Sequence, residues 1–448
     1  MQVAIKWPVS SGSVDGMPSD IVDGVSAPES AEALTVRAAR YLEILCSVSP
    51  DRRPGSAGND QAVALVASVV EASGWHVDLP EFDCLDWDTD GGEAMIGGAT
   101  IGLTPGPYGL GVEAVGPVRI LRTREELTQA DLAGSVAVLA GELASEPLTP
   151  KAFPFYGSDE HAEIIRLLEA GGPEAVIAVT GKYPELCGAL DPFPMIEDGD
   201  FEIPAASVRP GDAGPLLDSE GEVAAVEIRS RRILSRARNV IATRGPQSPR
   251  LTVIAHIDTK PGTPGAVDNA TGVVALLLLA ELLDPARRPD LPIGVELLAV
   301  NGEDHYAAPG ELAWLAANAL EDVALAINID GAGYRRGKSA YSIYNVDGAA
   351  AEHVQSVFDG RDDFVHGPDW YQSDHAIFAM RGRPALAITT EFVQEMLGEL
   401  FHSAADTPDQ VDIDLVVGIA QALEALIVTW PGLYGGPGAP MRSLSGLD

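Results

Sequence analysis

Basic residues are scarce in this chain. Against 66 Asp+Glu, its 448 residues include 29 Lys+Arg, and only Lys6, Lys151, Lys182, Lys260 and Lys338 are lysines, leaving a formal net charge of −37. The acids are spread along the whole length, so the surface repels phosphate, which disfavours nucleic acid and anionic membranes as partners. Cysteine is nearly absent: Cys46, Cys84 and Cys187 are odd in number, far apart and without metal-ligand spacing, so they read as reduced thiols. Long apolar runs are missing too. The longest, Val273 to Ala280 extended by Glu281, Leu282 and Leu283, falls well short of the roughly 20 residues that cross a bilayer and reads as a buried helix. The start, MQVAIKWPVSSGSVDGM, has no continuous apolar stretch and no small-residue cleavage site, so the expectation is no secretory signal and a cytoplasmic protein.

What is present is a folding composition. Hydrophobic residues make up 46% and charged residues 21%, with 47 Gly and 33 Pro punctuating short apolar runs, which excludes collagen and coiled coil and fits a loop-rich α/β chain. Two or three units are expected at roughly 100 to 200 residues per domain. Residues 31–45 and 59–73 carry apolar residues at helical spacing, the second with Asn59 and Asp60 as expected caps and Gly74 as its stop. Between about 91 and 227 the texture changes to short β-type runs with one helix near Asp159 to Ala170, the mark of an inserted β-rich domain. The expected division is therefore 1–90 and 228–448 for the main domain, with 91–227 inserted; Pro431 to Pro440 reads as a loose tail. From Asn239 the pattern is strand, loop, helix: NVIAT, LTVIAHID, a helix from Asn269, IGVELLAVNG, a helix from about Pro309, VALAINID and PALAITT, then a last helix over Asp412 to Trp430. These strands are apolar on successive residues, as in a mainly parallel sheet covered by helices on both faces.

In open α/β sheets ligands bind beyond the carboxyl ends of the strands. Here those ends carry metal-binding side chains: LTVIAHID stops at His256 and Asp258, IGVELLAVNGED at Glu303 and Asp304, VALAINID at Asp330, the loop after PALAITT bears His402, and AVDNATG places Asp268 before a helix. Any one of them has an ordinary explanation, such as a helix cap for Asp268 or a turn for Asp330; the full set at strand ends does not. Two Zn²⁺ would meet three carboxylates, Asp268, Asp304 and Asp330, and two neutral imidazoles. Asp268 is the expected bridge between ions roughly 3.5 to 4 Å apart that activate one shared water. Asp258 is expected to accept the other ring N–H of His256. Glu303, beside Asp304 but unable to aim at the same point, is the expected general base, taking a proton from the water and passing it to the leaving amine.

The stretches AHID, GAVDNATGV, NGED, NIDGAG, SDHAIF with RGRPA, and FHSAADTPDQ resemble peptidase family M28, the co-catalytic zinc aminopeptidases and glutamate carboxypeptidases. RRPGSAGNDQAVALVASVVEASGW is similar to that family's opening helices, and AGSVAVLAG and EIPAASV resemble a protease-associated insert. The resemblance implies that His256 and Asp330 hold one zinc, Asp304 and His402 the other, with Asp268 shared, Glu303 as base and a cis peptide between Asp268 and Asn269. Mn²⁺ or Co²⁺ are possible substitutes for zinc. Two positions depart from the family: the acid pair is Glu-Asp in place of Glu-Glu, and Phe401 stands where many relatives have a tyrosine. Tyr306 and Tyr371 are candidates to supply that hydroxyl, Asp374 to line the pocket, and Arg335, with Arg336 and Lys338, to bind a substrate carboxylate if the enzyme is a carboxypeptidase. The acid-rich site favours an aminopeptidase acting on a peptide or small amide. A carboxypeptidase, a glutaminyl cyclase-like enzyme and an inactive receptor-like protein stay open, and the oligomeric state is not indicated.

Overall fold

The computed structural model describes residues 30–154, 157–180 and 195–431. The readings of the amino-terminal stretch MQVAIKWPVSSGSVDGM, of Cys187 and of a tail from 432 onward lie outside the described residues. Helices Ala31–Ser47 and Ala57–Ala72 open the fold. The cap of the second is Ser56, whose hydroxyl accepts from the amide of Asn59 while donating to the Asp51 carbonyl. The expected caps Asn59 and Asp60 sit inside the first turn instead, because a cap must precede the amides it satisfies. Gly74 follows the helix with φ 79.

Among the described residues the strands fall into two sheets. After the short β1 (His76–Asp78), seven strands close a barrel: β2 (Glu81–Ile96), β3 (Ala99–Pro105), β4 (Val112–Leu121), β5 (Val136–Leu139), β6 (Ala175–Val179), β7 (Ala205–Val208) and β8 (Val223–Arg238), in the order β2-β3-β7-β6-β5-β4-β8. The expected boundaries at 91 and 227 fall inside β2 and β8, which pair antiparallel from Glu81↔Arg238 to Met95↔Ala225. The helix expected here is present as Asp159–Gly171. The chain then re-enters the larger sheet with β9 (Val240–Arg244), β10 (Arg250–His256), β11 (Gly294–Val300), β12 (Val323–Ile329), β13 (Ser339–Tyr344), β14 (Phe364–His366) and β15 (Ala385–Thr390). Its order is β1-β9-β11-β10-β12-β15-β13-β14. Because β1 pairs antiparallel with β9, the points where the chain leaves this sheet for the barrel and returns lie side by side at one edge.

The four central strands β11, β10, β12 and β15 are mutually parallel and buried at every position. Alternation along β10 explains the unbroken apolar run: Val253 and Ala255 pack under helices Ala31–Ser47, Thr271–Leu282 and Ile413–Val428, while Ile254 faces Trp314 and Phe378 on the other side. Every residue of Thr271–Leu282 is buried. The single acid in that helix, Glu281, is paired with Arg37 and accepts the Tyr41 hydroxyl at 2.6 Å, which removes the cost of an isolated buried charge. Among the described residues no helix is long and apolar enough to cross a membrane.

Candidate metal centre

Parallel pairing sets the strand ends level. β10 stops at His256 and its neighbour β12 at Ile329, so His256 and Asp330 meet, with Nε2 to Oδ1 at 3.4 Å. β11, on the other side of β10, delivers Glu303 and Asp304 through a turn, and Glu303 Oε2 lies 3.9 Å from His256 Nε2. His402 arrives from the loop after helix Val393–Glu399, its own backbone in the left-handed region at φ 58.

Asp268 is the hub. Its Oδ1 lies 3.2 Å from His256 Nε2 and its Oδ2 lies 3.2 Å from His402 Nε2, which in turn is 3.0 Å from Asp304 Oδ1. Two sets of ligand atoms result, His256/Asp268/Asp330 and Asp268/Asp304/His402, each within 4.8 Å and sharing Asp268. Asp268 precedes helix Thr271–Leu282, and its bond to Asn269 is cis. Asn269 donates its side-chain amide to the Ile329 carbonyl and accepts from the Gly272 amide. Asp406 accepts from the amides of Val267 and Asp268 at 2.7 and 2.9 Å and so fixes the backbone on which Asp268 stands.

The expected partnership of His256 and Asp258 takes a different form. The ring Nδ1 faces the Asp258 backbone carbonyl at 3.2 Å, and the nearest carboxylate oxygen is 3.8 Å away. The Asp258 carboxylate accepts instead from the amides of Gly302 and Asp304 at 2.7 and 3.0 Å, holding the acid-pair turn. The turn presents two unpaired amides to a buried acid, and such donors attract it more strongly than one imidazole N–H. Either way Nδ1–H has an acceptor and the Nε2 lone pair is left facing the acids.

The donors fit divalent cations. Asp258, Asp268, Glu303, Asp304 and Asp330 crowd around two imidazoles, and Asp268 Oδ1 and Asp304 Oδ2 are buried without a hydrogen-bond partner. Burial would keep His256 and His402 neutral, yet the facing carboxylates hold both imidazoles well above their usual range. Burial opposes ionisation of Asp268 as well, but its two histidine contacts hold it well below the carboxylate range. Imidazole and carboxylate donors thus converge where positive charge is favoured, and such donors are natural partners of a divalent cation. Glu303 is held well above the ordinary range, first by burial and then by Asp330, Asp304 and Asp374 against the pull of His256. Asp258 is pushed up to about 6, again mainly by burial.

The other expected residues stand outside the two ligand sets. The Tyr306 ring packs against His305 and Tyr108, with Asp198 and Asp200 of the barrel acting on its hydroxyl, so it belongs to the barrel interface and not to the ligand cluster. Tyr371 is exposed and stacks edge-on to Tyr344. Arg335 is exposed on a loop whose amide is tied to the Gln410 carbonyl. Phe401 is buried against Val267, Tyr334 and Met396. His305 and His375 are buried, bond the carbonyls of Leu85 and Trp370, and are pushed by burial down to about 3 and 4, as neutral structural histidines are. Asp374 is buried beside Glu311 in a cavity of about 10 Å³ lined by Ile254, Leu298, Trp314 and Phe378, and all four carboxylate oxygens lack a hydrogen-bond partner.

Sequence reading passed over three contributors. Arg52 is fully buried and donates to the carbonyls of Leu45, Ile257, Pro264 and Gly265, threading the loop between His256 and Asp268. Asp406 lies inside FHSAADTPDQ, so its segment was visible although its task was not. Lys260, directly after AHIDT, meets Glu197 of the barrel at 3.2 Å; nothing in the sequence of the barrel marks Glu197.

Residues 239–427 match the family model described as Peptidase family M28. Over 345 residues the chain is 23% identical to "Probable lipoprotein aminopeptidase LpqL" of Mycobacterium tuberculosis (strain ATCC 25618 / H37Rv), an alignment covering 73% of this chain and 64% of that protein's length. In fold it is similar to the aminopeptidase from Aneurinibacillus sp. strain AM-1, with a TM-score of 0.67 at 18% identity, covering 91% of this chain and 94% of that one. It is similar in the same degree to BSAP, a zinc aminopeptidase from Bacillus subtilis, with a TM-score of 0.67 at 17% identity over 90% of this chain and 95% of that one.

Proposed function

From the match of residues 239–427 to the model of peptidase family M28, we propose that the chain is a di-zinc aminopeptidase releasing amino-terminal residues from peptides. The observation that carries this is Asp268, which offers one oxygen to each of two histidine-containing ligand sets. His256 and Asp330 would hold one zinc, Asp304 and His402 the other, with Asp268 common to both; Mn²⁺ or Co²⁺ suit the same oxygen and nitrogen donors. When bound, the ions polarise the scissile carbonyl and make water acidic enough to lose a proton near neutral pH. The rest is done by the side chains. Glu303, at the acid-pair turn with Oε2 3.9 Å from His256 Nε2, takes the proton of the attacking water and gives it to the departing amine. Asp258 keeps the acid pair in register through the two amides it accepts. The excess of carboxylates favours a substrate that brings an ammonium. The barrel is taken as a protease-associated-like insert whose loop from Met195 to Phe201 borders the site.

The test is hydrolysis of free-amino and N-acetylated peptides side by side, with and without chelator. The proposal expects turnover of the free-amino peptides alone, lost on chelation and restored by zinc. Turnover of N-acetylated peptides with a free carboxyl end would favour a carboxypeptidase instead. Glu303→Gln, which keeps shape but cannot accept a proton, is expected to lower kcat by about 10² to 10⁴ while metal content stays at the wild-type value; an unchanged kcat would remove Glu303 from its role.

A further inference from the structure

We propose that Lys260 receives a carboxylate of the substrate, and that Glu197 of the barrel is the internal carboxylate that holds its ammonium until the substrate arrives. The inference rests on the peptidase reading above. Lys260 lies two residues beyond Asp258, and its side chain is only 19% exposed. Burial disfavours the charge, yet the ammonium is held above its usual range by Glu197, with Asp304 and Glu303 of the catalytic turn also acting on it. The contact is Nζ to Glu197 Oε1 at 3.2 Å, and Glu197 is itself 15% exposed. A positive group thus stands within electrostatic reach of the acid-pair turn, largely covered and paired with a loop from the other sheet.

Both halves of this pair are mounted on fixed backbone. On the lysine side, Thr259 Oγ1 accepts from the Arg52 amide, and the Gly262 amide donates to Asp51, which also pairs with Arg53. On the glutamate side, Asp198 accepts from the amides of Lys151 and Asp200, and the Met195 carbonyl accepts from Leu148. Gly199 lies flat on Tyr306, where an added Cβ would sit 2.4 Å from the ring. Since Tyr306 follows the acid pair closely in sequence, the loop bearing Glu197 is seated on the turn bearing Glu303 and Asp304.

Charge explains why a cation is placed there. Two dications would bring +4 to the five carboxylates Asp258, Asp268, Glu303, Asp304 and Asp330, so the cluster has no positive charge to spare, and Lys260 with Glu197 forms a pair of its own beside it. In a molecule of net charge −37, an anionic group approaches the site only if a local cation offers it a partner. Exchange of the Glu197 carboxylate for a substrate carboxylate keeps the ammonium paired throughout, whereas an unpaired buried charge would be costly. The substrate carboxylate has two possible sources, the carboxyl end of a dipeptide or the side chain of an acidic amino-terminal residue.

Two pairs of substrates separate these sources: leucyl-leucine against its C-terminal amide, and the p-nitroanilides of glutamate and glutamine. Each pair differs in one charge, so the ratio of kcat/KM within a pair reports that charge. With the zinc-loaded protein at least one ratio is expected to favour the acid by about tenfold, the worth of a hydrogen bond to a charged group. Lys260→Met is expected to bring that ratio near one, Lys260→Arg to keep it, and Glu197→Gln to raise it by removing the competing carboxylate. Calorimetric titration of zinc-loaded Glu303→Gln with the same four compounds reads the preference without turnover, and an unchanged unfolding midpoint shows that a variant is folded. Ratios near one for both pairs in the wild type, or a preference that survives in folded Lys260→Met, would overturn the proposal. So would a loss in Glu197→Gln that falls equally on acids and amides, which would assign Glu197 to the substrate ammonium. Absence of hydrolysis for every free-amino compound would sink the peptidase reading, and the calorimetric ratio would still decide the role of Lys260.

Discussion

At the scale of single residues, the acids divide by what surrounds them. Asp268, Asp304 and Asp330 face imidazoles, whereas Glu311 and Asp374 stand together at an apolar cavity with none of their carboxylate oxygens hydrogen-bonded. Burial pushes Asp374 up to about 7 and holds Glu311 well above the carboxylate range, each neighbouring carboxylate adding to the effect on Glu311. An acid whose folded pKa exceeds its unfolded value of about 4 keeps its proton where the unfolded chain has already released it. Its contribution to stability is therefore lost as pH rises from about 4 through about 7. For the metal-free protein, Glu311→Gln is expected to raise stability relative to wild type by roughly 1 to 2 kcal/mol more at pH 8 than at pH 5. Urea unfolding at the two pH values checks this, and an equal effect at both would show that the pair carries no retained proton.

At the scale of elements, the parallel strands were legible because both faces are covered: β10, β11, β12 and β15 could be read as unbroken apolar runs, and their ends gave the ligands. β13 and β14 were not legible. SAYSIY mixes polar and apolar residues on an antiparallel strand toward the sheet edge, and FVH is too short to show any period. β2 misled for another reason. Its alternation EFDCLDWD is that of a half-exposed strand, and Gly91-Gly92 resembles a boundary, but the strand continues through a register shift between Thr89 and Gly92. At Gly92 a Cβ would sit 2.7 Å from the Glu227 carbonyl, which is why glycine is needed there. The clustered histidines and carboxylates were visible in sequence because strand ends expose them to pattern reading. Arg52 and Glu197 act through carbonyls and across two sheets, so pattern alone could not reach them. Gly272, the second residue of the helix behind Asp268, shows how tightly this element is seated: a Cβ would sit 2.4 Å from Asn269 Oδ1 and 2.5 Å from the Ile329 carbonyl. Gly272→Ala is therefore expected to lose about 1 to 3 kcal/mol by overpacking and to weaken metal retention with it. Denaturant unfolding and chelator competition measure the two effects, and an unchanged protein would mean that the helix start is free to shift.

At the scale of the whole molecule, β1 and β9 let a closed barrel leave and rejoin an eight-stranded sheet at one edge while its loop returns over the acid-pair turn. The fold thereby brings residues far apart in sequence, from Asp51 to Asp406, to bear on one group of carboxylates. Their purpose in this account is to hold two ions through Asp268. The most direct measurement is the number of zinc ions per chain after dialysis, by elemental analysis, in the wild type and in Asp268→Ala. Two are expected in the wild type and fewer than one in the variant, since each ligand set loses a member. A wild type holding one ion or none, or a variant that keeps two, would contradict it.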